Sequence, residues 1–141
     1  KQYVYKTEML RKVAPMPVFP GEKHFNPTYM FHLLDDYGMM GVSNEIFDVV
    51  DYQPDGMTAS VIKQYYNSPN GFAELRKIYM RNPDATFMTL LKTNIHYVAE
   101  CTLAHKLSLA ISESPKPGYT RLAMLPGIML AKYIEYINCK K

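Results

Sequence analysis

The sequence predicts an all-α fold: a short α-solenoid of antiparallel helical hairpins preceded by an extended arm. Three observations carry that reading. Apolar residues recur at helical spacing along most of the chain, no run sustains the alternation of a strand, and proline-led turns followed by threonine return at a near-constant interval. With 141 residues there is material for one hydrophobic core rather than for a two-domain enzyme. A composition 48% apolar and 21% charged, with a net charge of +3, excludes a disordered polar chain and permits a nucleic-acid partner without demanding one.

Residues 1–25 read as an extended proline-rich arm and residues 26–141 as the helical-repeat domain. Pro15, Pro17, Pro20 and Gly21 forbid regular pairing over Ala14–Lys23, so this stretch is expected to lie along another surface. Asn26-Pro27 then supplies a capping residue and a first-turn proline. Met30, Leu33, Leu34 and Tyr37 form the first helical stripe, stopped by Gly38 and Gly41. A second stripe is Val42, Ile46, Val49 and Val50. After the turn Gln53-Pro54-Asp55-Gly56 comes a third, Thr58, Val61, Ile62 and Tyr65. Asn67–Gly71 breaks the chain before Phe72, Leu75 and Tyr79, which end at Asn82-Pro83. Phe87, Leu90, Leu91 and Ile95 make a fifth helix, with Leu103, Leu107, Ala110 and Ile111 as its partner and Ser112–Gly118 closing the pair. The last helix carries Leu130, Tyr133, Ile134 and Ile137, and Pro126 is expected to kink or divide it.

Pro27-Thr28, Pro54…Thr58, Pro83…Thr86 and Pro117…Thr120 set the register, with threonines 30, 28 and 34 residues apart. Each interval accommodates two short antiparallel helices that cannot bury their apolar faces alone, so neighbouring hairpins must stack. The stretch Thr28–Gly41 resembles the first helix of a pentatricopeptide repeat, and Asn44–Val50 resembles the second. Pro54-Asp55 is similar to the inter-repeat proline-aspartate of that family. Thr58–Tyr66 with Phe72–Met80 reads as a second repeat, and Pro83–Leu91 opens a third. The repeats are shorter than the family's usual unit, and Ala59 replaces the aromatic after threonine, which marks a degenerate array.

The resemblance implies single-stranded RNA reading, one base per repeat, by Met30 with Asp55, by Ser60 with Asp84, and by a third unit opened by Met88. Methionine makes no hydrogen-bond pair that distinguishes bases, so only Ser60 with Asp84 is chemically competent. Methionine and tyrosine on a helical face suit adaptable contact with protein instead. The expected function is therefore that of a non-catalytic accessory subunit, docked on partner proteins by its repeat face and tied down by the arm Tyr3–Phe25. The resemblance further implies a mitochondrial, matrix-side location. Within it, the expected home is an ATP synthase catalytic head of euglenozoan type, and after that the mitochondrial ribosome; short RNA binding is the alternative. Lys1 fits either a removed targeting segment or a chain that begins inside a longer one.

Other constellations read as structural. His96 with Glu100 and Cys101 with His105 are i, i+4 pairs, but the pairs point more than a right angle apart and do not converge on one metal ion. Asp51–Gly56 resembles the opening of a calcium loop, yet Ile62 stands where the bidentate glutamate belongs. Asp35 and Asp36, as helical neighbours, face different ways and lack a third catalytic group. No nucleophile motif, phosphate-cradling loop or dinucleotide fingerprint is present, so neither enzyme activity nor a cofactor is expected. Cys101 and Cys139 make no disulfide framework, and no apolar run reaches the roughly 18–20 residues needed to span a bilayer.

Overall fold

A computed structural model of the chain describes residues 4–23, 25–38, 41–46, 48, 49, 51 and 61–140. Among them there are six α-helices and no strand, so the chain is all-α as the periodicity predicts. The helices are α1 Thr7–Val13, α2 Thr28–Leu34, α3 Val61–Asn67, α4 Pro69–Arg81, α5 Phe87–Leu103 and α6 Pro117–Cys139. A 3-10 turn at Asp35–Tyr37 extends α2, and another at Leu107–Leu109 lies between α5 and α6.

The expected arm contains a helix. Residues 7–13 are good helix formers, with Glu8 in the first turn and Arg11 and Lys12 in the last, an arrangement that suits the helix dipole. The proline-rich stretch that follows is not helical, and it does find a surface. The Glu22 carboxylate accepts hydrogen bonds from the Asn70 backbone N–H (2.7 Å), the Asn70 side-chain amide (2.7 Å) and the Gly71 N–H (2.9 Å). These amides open α4, whose N-cap residue Ser68 makes no side-chain cap, so a distant carboxylate does the capping.

The stripe Val42, Ile46 and Val49 does not become a helix. The described residues between 41 and 51 are non-helical and all three side chains are exposed. Gly41, Ser43, Asn44, Asp48 and Asp51 favour turns, the stripe residues are β-branched, and no neighbouring helix rewards the ordering. The turn at 53–56 and Thr58 lie outside the described residues. Further along, α4 starts two residues into the stretch expected to break the chain. Pro69 takes the first helical position, which places Gly71 inside the helix and buries it.

The core is built on α4 and α5. The Asn82–Thr86 turn reverses the chain as its punctuation predicts: Asn82 Oδ1 accepts from the Asp84 N–H at 2.9 Å, and Thr86 Oγ1 accepts from the Thr89 N–H at 3.2 Å. The two helices then run antiparallel, Arg76 meeting Glu100 and Asn70 meeting Lys106 just past the end of α5. They bury Phe72, Ala73, Leu75 and Met80 against Tyr97, Val98, Ala99 and Cys101.

Between α5 and α6 the sequence predicts a helical partner, and the structure has a mostly non-helical limb there. His105 leaves α5 at φ 57°, and the limb runs back along α4, with Lys77 bonded to Glu113 (2.8 Å) and Ser114 against the Met80 sulfur (3.7 Å). Ser112 and Ser114 bond to nearby backbone and Pro115 and Pro117 follow, which deprives a helix of its ladder. Because the limb returns to the start of α5, α6 sets off in the same direction as α5. Phe87 meets Tyr119, Asn94 meets Thr120 and Val98 meets Gly127, each pair further along both helices. Neighbouring α5 and α6 are thus parallel rather than a hairpin. α6 is also not divided at Pro126: packing along α5 holds one 23-residue helix through the missing N–H.

Candidate functional site

Among the described residues, one set of polar and titratable groups is centred on Arg76. On α4, Arg76 and Tyr79 are three residues apart and share a face; on α5, His96 and Glu100 are four apart and do likewise. Arg76 Nε donates to Glu100 Oε1 at 3.2 Å, and Nη2 forms an ion pair with the same oxygen at 3.2 Å. Its guanidinium lies 5.7 Å from the Tyr65 ring on α3 and 5.9 Å from the Tyr79 ring. The Tyr65 ring meets His96 at 5.8 Å, and His32 of α2 stands edge-on to Tyr79 at 4.9 Å.

Glu100 is 1% exposed, and its second oxygen, Oε2, has no hydrogen-bond partner. Burial pushes its carboxyl up to about 7, against the opposing pull of Arg76. Burial also works against the charge on Arg76, but Glu100 and Tyr65 outweigh it and leave the guanidinium above its ordinary value. His96 is held below the usual histidine range by burial and then by the Arg76 charge. Such a group can hold a proton near neutrality, and with Glu100 buried it pins α3, α4 and α5 together.

Beyond Tyr79 a cleft of about 430 Å³ opens between α2 and the α4–α5 turn, lined by His32, Asp35, Asp36, Arg81 and Thr89 among others. His32 Nδ1 and Asp35 Oδ2 are 3.2 Å apart on its exposed rim. Asp36 also lines the cleft, so the two aspartates share it as an open acidic rim.

Compared with protein-family models, curated proteins and solved structures, the chain matches none.

The residues singled out from the sequence are scattered. Ser60 and Asp55 lie outside the described residues, while Asp84 is exposed in the α4–α5 turn. Met88 is 56% exposed as the second residue of α5, and Met30 is half-buried on α2. His96 and Glu100 do share a face, but Glu100 is committed to Arg76. Cys101 is buried and His105 exposed, so that pair is split by the end of α5. Among the described residues no three His, Cys, Asp or Glu side chains converge as metal ligands. Asp51 and Ile62 are both exposed, with the residues between 52 and 60 outside the described set. Sequence reasoning missed Arg76, Tyr65 and Tyr79. The available signal was a lone arginine one residue from Leu75 in an otherwise apolar stripe, which needs an acid from another helix.

Proposed function

We propose that the chain is a non-catalytic accessory subunit of a larger assembly, and that it binds partner protein through apolar surface it does not cover itself. The observation that carries this is the stretch 42–49, where Val42, Ile46 and Val49 stand in non-helical backbone, each more than four-fifths exposed. Three large β-branched side chains within eight residues are costly to leave in water, and they suit an extended segment laid against a partner. Phe87 and Met88, exposed at the start of α5, and the α4–α5 hairpin with its proline-threonine turn are what supports a pentatricopeptide-like repeat face. The mitochondrial setting, with the ATP synthase catalytic head before the ribosome, rests on the resemblance of residues 26–111 alone. The same resemblance keeps single-stranded RNA as the alternative ligand.

The test is gentle native purification of the tagged chain from its organelle, followed by sedimentation. Co-sedimentation with a large protein complex is expected, and a variant carrying Val42→Asp, Ile46→Asp and Val49→Asp should be released from it with unchanged circular dichroism. A chain that sediments alone overturns the proposal. Salt-sensitive retention on single-stranded RNA, without a protein partner, replaces it with the alternative.

A further inference from the structure

The inward face of α6 is made of small or medium residues, Thr120, Ala123, Gly127, Ala131 and Ile134, all buried. Its outward face carries Leu122, Leu125, Met129, Tyr133 and Tyr136, each between 57% and 72% exposed. Placed at 100° per residue, these five lie within about 40° of Met129 around the axis, so they form one narrow stripe. The stripe is its own reverse. Leu122 and Tyr136 stand seven residues either side of Met129, and Leu125 and Tyr133 four residues either side.

We propose that this stripe is a self-association seam, on which α6 of a second copy packs antiparallel about a two-fold axis through Met129. An isologous interface requires one patch to be complementary to itself, and this one is. Reversal sets Leu122 against the other copy's Tyr136, Leu125 against its Tyr133 and Met129 against Met129, pairing each aliphatic side chain with an aromatic one and two adaptable thioethers at the centre. The flanking charges do not oppose it. Lys132 is set against Pro126 and Arg121 against Ile137 across the axis, and Lys132 already donates to Glu135 at 2.9 Å on its own helix. A parallel pair would instead bring Lys132 beside Lys132. The five side chains offer about 600 Å² per chain, close to the roughly 800 Å² per partner of a standard interface, and the rim of the helix contributes the difference.

The geometry prescribes its own cross-linking test, run on the full chain with the exposed Cys139 replaced by serine. Under mild oxidation Met129→Cys should form a covalent dimer, whereas Leu122→Cys, whose counterpart is Tyr136, should not; a mixture of Leu122→Cys and Tyr136→Cys chains should cross-link. The unsubstituted chain should sediment as a dimer at tens of micromolar, and Met129→Asp as a monomer with unaltered helicity. Cross-linking of Leu122→Cys as fast as Met129→Cys overturns the antiparallel arrangement, and a monomer throughout the concentration range overturns self-association. This outcome is separate from the role proposed for Val42, Ile46 and Val49, since a monomeric chain still found in a large complex sinks the seam alone.

Discussion

Gly127 of α6 sits on Val98 of α5 so closely that a Cβ added to the glycine would lie 2.6 Å from the valine Cβ and Cγ1, and 2.9 Å from the Ile95 carbonyl oxygen. Helix propensity alone would favour alanine by roughly 1 kcal/mol, but the carbonyl is backbone and cannot swing away. Gly127→Ala is therefore expected to destabilise by about 1–3 kcal/mol in urea unfolding. Adding Val98→Ala should recover only part of the loss, because the carbonyl contact remains.

Arg76 and Glu100 give a pH prediction. Glu100 ionises near 4.5 when exposed and at about 7 when folded, so the folded state holds the extra proton between those values. Its contribution to stability is present below about 4.5 and declines as pH rises to about 7, by at most about 3 kcal/mol. His96, which burial and then the Arg76 charge hold below the usual histidine range, works the other way and favours the folded state as pH rises toward 6.5. The difference between the natural chain and Glu100→Gln isolates the carboxyl. It should shift in favour of glutamine from pH 4.5 to 7 and stay flat above, measured by unfolding at a series of pH values. Arg76→Met, which strands the carboxylate, should cost about 3–5 kcal/mol at pH 8.

Thr120 Oγ1 donates to Asn94 Oδ1 at 2.7 Å and lies 2.6 Å from Ser114 Oγ, while the Asn94 amide donates to the Leu90 carbonyl at 2.8 Å. Thr120→Val keeps the shape but leaves the buried Asn94 oxygen without its donor. A loss of about 1–3 kcal/mol is expected, and Thr120→Ser should restore most of it.

Burial pushes the Cys101 thiol up to about 11, while Cys139 is exposed. A thiol-reactive dye should label one cysteine per chain quickly under native conditions. The second should react only at the rate of unfolding, and Cys139→Ser should abolish the fast phase.

Helix type was legible wherever the period was long and the caps were local: α2, α4, α5 and α6 all fall on their apolar stripes, and the capping roles of Asn26 and Thr86 follow from residue type. The stripe at 42–50 misled because period alone does not supply a surface to bury against. The limb 104–116 misled because its serines and prolines, not its leucines, decide the backbone. Nothing local announces that Arg76 will meet Glu100, and the repeat register gave no sign that α5 and α6 would run parallel. Thr120 shows this most plainly. The register sets it beside the threonines that follow the other proline turns, yet α6 begins at Pro117 and the threonine is a buried link between helices.

The Glu22 carboxylate on α4 has a consequence for the order in which the chain is made. Asn70 and Gly71, which it caps, are 48 and 49 residues further along the chain. At typical synthesis rates those residues follow Glu22 by about 2–10 s, so the carboxylate leaves the ribosome before the amides it will cap. A partner or chaperone meeting the nascent chain in that interval encounters Phe19 and the free acid before α4 exists to compete for them.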